Sequence, residues 1–214
     1  HCAGAAFGGT GQKCTAASRL IVHEAVHDAF LEKLVAAARA LKVGHALEDG
    51  TQIGPCVSAE QLESNLGYIR LGQEEGAELA CGGDRLDLPT EGHFMAPAVF
   101  AATRNDMAIN REEMFAPITC VMTAGCYDEA LAIANDSAFG LTAGIMTTSL
   151  ARASHFRAHM RAGGLMVNLP TAGTDYHVPF GGMGASSFGP REQGRYAVEF
   201  YTAVKTSYVA AGAP

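Results

Sequence analysis

Short apolar runs alternate with stretches of helical spacing along this chain, and that alternation restricts the fold more than any single residue does. Leu20-Ile-Val22 is a β-branched run that reads as a strand. Asp28 to Leu41 carries Phe30, Leu31, Leu34, Val35, Ala38 and Leu41 at helical spacing, with Gly44 as a stop. Ser58-Ala-Glu-Gln61 reads as a capping box opening a second helix, with Leu62, Leu66 and Ile69 as its stripe and an end near Gly76. Strands are predicted at Ala77–Cys81, Ile118–Thr123, Leu141–Thr147 and, as a buried strand, Leu165–Leu169. His93 to Ala101 reads as extended, with Pro97 at an edge. Helices are predicted over Asp128–Asn135, after Ser149, and over Pro190–Phe200, and a last strand over Ala203–Val209. The pattern predicts an α/β fold: a mostly parallel open twisted sheet with helices on both faces, plus a C-terminal strand. Residues 1–200 are expected to form the main domain, and 201–214 a strand and tail for oligomerisation. A terminal strand with no covering helix suits pairing with another subunit's sheet, so a homo-oligomer is expected.

The stretch Phe7-Gly-Gly-Thr-Gly-Gln-Lys-Cys14-Thr-Ala-Ala-Ser-Arg19 carries the chemistry that stands out. Gly8, Gly9 and Gly11 make a backbone that tolerates positive φ and close approach. Cys14 follows, flanked by small residues, as a thiol at a loop-to-helix entry would be. There the helix dipole, with Lys13 and Arg19, would favour thiolate over thiol. A cysteine among small residues is more often a buried hydrophobe, so the surrounding pattern has to decide.

Composition removes several classes of function. The 214 residues are 48% hydrophobic and 17% charged, enough to bury a core. The net charge is −7 and no basic run occurs, which argues against a nucleic-acid partner. No apolar run reaches the roughly 18 residues that span a bilayer, so no membrane role is expected. The six cysteines show no framework spacing and read as reduced thiols of a cytoplasmic protein. The chain opens at His1 within a small-residue run that looks like the inside of a helix, as a piece of a longer protein would.

His23-Glu-Ala-Val-His27 matches the zinc-protease pattern HExxH, which needs both histidines on one helical face. Here the match straddles the end of a strand and the start of a helix, and no third ligand is evident, so no metal is expected. Gly181-Gly-Met-Gly-Ala-Ser-Ser187 begins like a dinucleotide fingerprint but has serine at the last glycine position, with no strand running into it.

Glu112-Glu-Met-Phe-Ala-Pro117 could be a solvated turn on its own. Together with Phe-x-x-x-Gly-Gln-x-Cys-x-Ala-x-x-Arg around Cys14, however, it resembles the aldehyde dehydrogenase superfamily. Gly163-Gly-Leu-Met-Val-Asn168, Pro179-Phe-Gly-Gly182 and Gly189-Pro-Arg-Glu-Gln-Gly194 are similar to further elements of that family, in the family's order. The resemblance runs from Phe7 to about Tyr208. It implies that Cys14 is the nucleophile, and that Glu113 binds the nicotinamide ribose of NAD or NADP while Phe115 packs beside its ring. It also implies that Phe7, Asn168 and Phe180 shape the substrate pocket. Ala116 departs from the family's usual glycine. The implied reaction adds the Cys14 thiolate to an aldehyde, passes hydride to the nicotinamide and hydrolyses the thioester to an acid. The family's general-base glutamate and oxyanion-hole asparagine lie upstream of the cysteine, so a partner is implied in the upstream cofactor-binding half of the same enzyme. The loop from Asn168 to Pro179, with Arg191 and Arg195 after it, resembles the branch acting on 2-oxoglutarate semialdehyde. An arginine there would suit an acidic aldehyde.

Overall fold

A computed structural model describes residues 1–212. In chain order the elements are α1 (Cys2–Phe7), β1 (Arg19–His23), α2 (His27–Arg39), α3 (Ala59–Glu74), β2 (Glu78–Cys81), β3 (Arg85–Leu86), β4 (Phe94–Met95) and β5 (Ala98–Ala101). There follow α4 (Ala108–Arg111), β6 (Ile118–Ala124), α5 (Tyr127–Asn135), β7 (Thr142–Ile145), α6 (Leu150–His159), β8 (Gly164–Val167) and α7 (Ala197–Tyr201).

The central sheet has the order β1-β6-β5-β2. β6 runs parallel to both β1 and β5, whereas β2 is antiparallel to β5 with an irregularity between Leu79 and Cys81. β7 and β8 pair in parallel as a separate two-stranded sheet, and β3 pairs with β4 antiparallel. The period-2 alternation of the strands divides the core into two layers. Ala98, Phe100, Ile118 and Cys120 face Leu62 and Ile69 of α3 and Ile109 of α4. Val99 and Val121 face the other way, with Leu20 and Val22 of β1, Leu34 and Ala38 of α2, and Phe7 of α1. Helices therefore cover both faces, as the alternation predicts. Gly72 lets α3 settle onto β5, since a β-carbon there would lie 2.7 Å from the Phe100 ring. Phe100 is wholly buried, so truncating it to alanine would cost about 3–5 kcal/mol.

Helix starts fall where the sequence places them. The Ser58 hydroxyl accepts from the Gln61 amide at 3.2 Å, and the Ser149 hydroxyl from the Arg152 amide at 3.3 Å. Three expectations need correction. β8 is half-buried along its length rather than fully buried, because it forms only a two-stranded ladder with β7. Residues 190–200 do not form one helix. Gln193 and Gly194 have φ of 68° and 53°, which interrupts the helical path and leaves a 3₁₀ turn before the short α7. The expected strand at 203–209 is absent: residues 202–212 take no regular structure, and Val204, Tyr208 and Val209 are exposed. A strand needs a neighbour for its backbone groups, and this segment has none among the described residues. No helix among the described residues is long and apolar enough to cross a membrane.

Candidate active site

The segment before Cys14 is shaped by three successive left-handed residues, Gly9, Thr10 and Gly11, with φ of 65°, 62° and 63°. Thr10 can hold this conformation because its buried hydroxyl donates to the Gly54 carbonyl at 3.1 Å. Gln12 then grips the same neighbouring segment. Its Nε2 donates to the Pro55 carbonyl at 3.4 Å, and its Oε1 accepts from the Val57 amide at 2.9 Å. Cys14 lies exposed in the turn closed by the Ala16 amide donating to the Lys13 carbonyl at 3.0 Å. The chain continues from this turn directly into β1.

This setting corrects the expected helix entry: Cys14 precedes a strand, so the dipole of a following helix does not act on it. Nor does Arg19 add charge there. Its guanidinium donates to Asn105 Oδ1 at 2.7 Å and to the carbonyls of Ile133 and Ala134 at 3.2 and 3.0 Å, at the C-terminal end of α5. Burial draws its pKa down from the ordinary arginine value. The side chain of Lys13 folds back over Gly9, where a β-carbon would meet its Cε at 2.8 Å.

The second loop follows α4. Glu112 accepts from the Tyr68 hydroxyl at 2.9 Å. Met114 and Ala116 are buried, and between them Phe115 stands 39% exposed with φ of 52°. An aromatic residue in the left-handed region is strained by of order 1–3 kcal/mol and persists only where its surroundings fix it. Ala116 has no positive φ, so a side chain fits where the family resemblance implies glycine. The two loops meet at Gly11, whose position for a β-carbon is 1.9 Å from the Ala116 carbonyl oxygen. Only glycine permits that approach.

This contact brings Cys14, Glu113 and Phe115 onto one cleft of about 780 Å³. The walls are β1 on one side and β7 with the residues after it on the other. Glu113 is exposed, and among the described residues no side chain pairs with it. Phe7, Asn168 and Phe180 do not line this cleft. Phe7 is 1% exposed and packs in the core beneath the glycine turn. Asn168 ties the ends of β7 and β8 together, accepting from the Thr147 amide at 2.8 Å and donating to the Thr147 carbonyl at 2.9 Å. Phe180 is half-buried in an isolated bridge with Glu192. Arg191 donates to the Gly182 carbonyl and braces that loop, while the Arg195 guanidinium lies 5.4 Å from the centre of the Tyr196 ring.

Of the other five thiols, four are withdrawn from solvent to some degree. Burial pushes Cys120 up to about 12, and raises Cys2, Cys56 and Cys81 as well; Cys126 is exposed. In the HExxH stretch, His23 ends β1 and accepts from the Ala25 amide, while His27 begins α2 beside Asp28. The two rings thus do not share a helical face. Sequence reasoning missed the support given by α3, where Gln61 donates to the Met114 carbonyl and Tyr68 to Glu112. The glutamine of the capping box was the available signal.

The mostly parallel α/β core thus joins a glycine-built cysteine turn to a Glu-x-Phe loop beside one cleft. Residues 1–207 match the aldehyde dehydrogenase family, and the chain belongs to it. It is 40% identical over 206 residues to the alpha-ketoglutaric semialdehyde dehydrogenase of Bacillus subtilis, covering 95% of this chain and 42% of that protein. It is 44% identical over 205 residues to the alpha-ketoglutarate semialdehyde dehydrogenase of Haloferax volcanii, covering 94% and 42%. Among solved structures, the NAD-dependent aldehyde dehydrogenase of Sinorhizobium meliloti superposes with a TM-score of 0.91 at 37% identity, covering 100% of this chain and 42% of that one. The chain thus spans about 42% of the length of the curated relatives it matches.

Proposed function

We propose that this chain is the C-terminal catalytic portion of an NAD- or NADP-dependent aldehyde dehydrogenase, with Cys14 as nucleophile. The observation that carries the reading is the contact of Gly11 with Ala116, which sets an exposed thiol and the Glu113–Phe115 pair on the same cleft. Those two side chains fit the cofactor. An exposed carboxylate can accept both hydroxyls of a ribose, and a part-exposed ring offers a face to a flat heterocycle. A relative at 38% identity, the 1-pyrroline-5-carboxylate dehydrogenase of Thermus, was solved with bound NAD.

The Cys14 sulfur attacks the aldehyde carbon, and the carbonyl oxygen takes up the negative charge within reach of the Cys14 backbone N–H. A bound nicotinamide supplies the acceptor for the hydride that leaves this carbon. The acyl group then remains on Cys14 as a thioester, and attack by water releases the acid and restores the thiol. The base for that water and a second oxyanion donor come from the upstream half of the enzyme. That half also contributes most of the cofactor site and closes the cleft. Two relatives at 40% and 44% identity support 2-oxoglutarate semialdehyde as substrate. The six free thiols suit a cytoplasmic setting, and residues 203–209 suit pairing with a second subunit.

The test is to assay the purified chain for NAD(P)H production with a panel of aldehydes, then to add the separately expressed upstream half. Slow ester hydrolysis is expected from the chain alone, and dehydrogenation only after mixing. Robust cofactor reduction by the chain alone would refute the shared site. No activity after mixing would favour a purely structural role for this portion.

A further inference from the structure

Asn65 sits in the middle of α3 with no exposed surface, beside an otherwise apolar layer. A buried amide is costly unless its polar atoms are satisfied, and these are. Its Nδ2 donates to Cys56 Sγ at 3.3 Å, and its Oδ1 accepts from Gln61 Nε2 at 2.8 Å. The same Gln61 nitrogen reaches the Met114 carbonyl at 3.4 Å. Gln61 does not turn back to cap its own helix as the capping-box spacing predicts; Asn65 holds it towards the loop instead.

Both ends of this connection lie at the site. Met114 immediately precedes Phe115, whose left-handed backbone needs an outside restraint. At the other end, Cys56 belongs to the segment that the Gln12 amide grips on both sides, at Pro55 and Val57. Gln12 stands two residues before Cys14. A continuous path therefore runs from the cysteine turn through residues 55–57, Asn65 and Gln61 to the loop bearing Glu113 and Phe115. Every link crosses between separate parts of the chain except the one along α3.

We infer that Asn65 is a positioning residue: acting through Gln61, it fixes the Glu113–Phe115 loop relative to the Cys14 turn, and so aligns the nicotinamide with the thiol. The inference rests on the function proposed above. It separates two properties of the enzyme. The turn bearing the thiol is built by Gly9, Thr10 and Gly11 and keeps its own bonds to residues 54–57 when Asn65 is replaced. Cofactor alignment does, because without the Asn65 carbonyl oxygen Gln61 is free to leave the Met114 carbonyl.

The test uses the full-length enzyme with Asn65→Leu, Gln61→Met and the double variant. Expected for each is a rise in KM for NAD(P) and a fall in kcat for aldehyde oxidation, each on the order of tenfold, since small misplacements have effects of that size or larger. Cofactor-free hydrolysis of p-nitrophenyl acetate, which needs only the thiol, should stay within about twofold of wild type. The double variant should be no worse than the more affected single one, as links of one path do not add. Unchanged cofactor KM and kcat in Asn65→Leu, with normal wild-type activity, would overturn this inference alone. So would a parallel loss of ester hydrolysis, which marks general damage. If Asn65→Leu does not fold, Gln61→Met at the half-buried end of the path decides on the same readouts. A wild-type enzyme without cofactor-dependent aldehyde oxidation would overturn the proposed function together with this inference.

Discussion

The backbone of Gly11 lies so close to Ala116 that a β-carbon at position 11 would fall 1.9 Å from the Ala116 carbonyl oxygen. The obstacle is backbone on a buried residue, so it cannot swing away as a side chain would. Gly11→Ala also places a side chain at φ of 63°, which alone costs about 1–2 kcal/mol. The variant should melt at least roughly 2–8 °C lower in a chain of this size. Calorimetry showing an unchanged Tm would mean the two loops do not meet as described.

Exposure admits two candidates for rapid alkylation, Cys14 and Cys126, and the proposed role selects Cys14. Limiting iodoacetamide followed by mass mapping should find Cys14 modified first and Cys120 only after unfolding, as burial holds that thiol up to about 12. Earlier labelling of Cys126 would remove the support for a specially reactive Cys14.

Arg111 donates to Asp136 at 2.7 Å and holds that carboxyl below the ordinary aspartate range, with help from Asn105. A carboxylate with a depressed folded pKa contributes stability above its unfolded value, and that contribution disappears as the pH falls through the folded value. Arg111→Met should therefore be slightly less stable than wild type near neutrality, and the difference should vanish in strong acid. The effect is small because the pair is exposed. Melting curves between about pH 2 and 7 check it; a gap that widens in acid would contradict the assignment.

Residues 203–209 carry exposed Val204, Tyr208 and Val209 and no ladder of their own. If they pair with another subunit, deleting residues from 203 onward in the full-length protein yields a smaller species in sedimentation. Val204→Pro should act in the same direction by removing a backbone donor. An unaltered sedimentation coefficient in both would end the idea.

What the sequence revealed followed from periodicity and caps. α2 and α3 carry apolar stripes with clear starts, and β1 and β6 are β-branched runs, so their places were legible. Strand direction leaves no such trace, which is why β2 reads as part of a parallel sheet though it runs antiparallel to β5. The break at Gln193 depends on a backbone angle that glutamine seldom adopts, and nothing in residue type announces it. Cys14 lies in a turn without proline, which resembles a helix entry when only small residues are visible. Gln61 reaches Met114, 53 positions further on, and Asn65 reaches Cys56 outside its own helix; apolar periodicity cannot show such contacts.

The Thr119 hydroxyl donates to the Ala17 carbonyl, 102 positions back along the chain, beside the parallel pairing of β1 with β6. During synthesis the segment bearing the thiol leaves the ribosome long before its neighbour strand exists. At about 5–20 residues per second, the interval is roughly 5–20 s. Throughout it, the glycine-rich stretch has neither Ala116 to press against nor β6 to lie beside. A nascent chain halted before that strand would hold an ordinary unstructured cysteine, open to any oxidant or metal the cell presents. The Cys14 thiol is encoded near the start of this sequence, but its surroundings are finished only once the middle of the chain has been made.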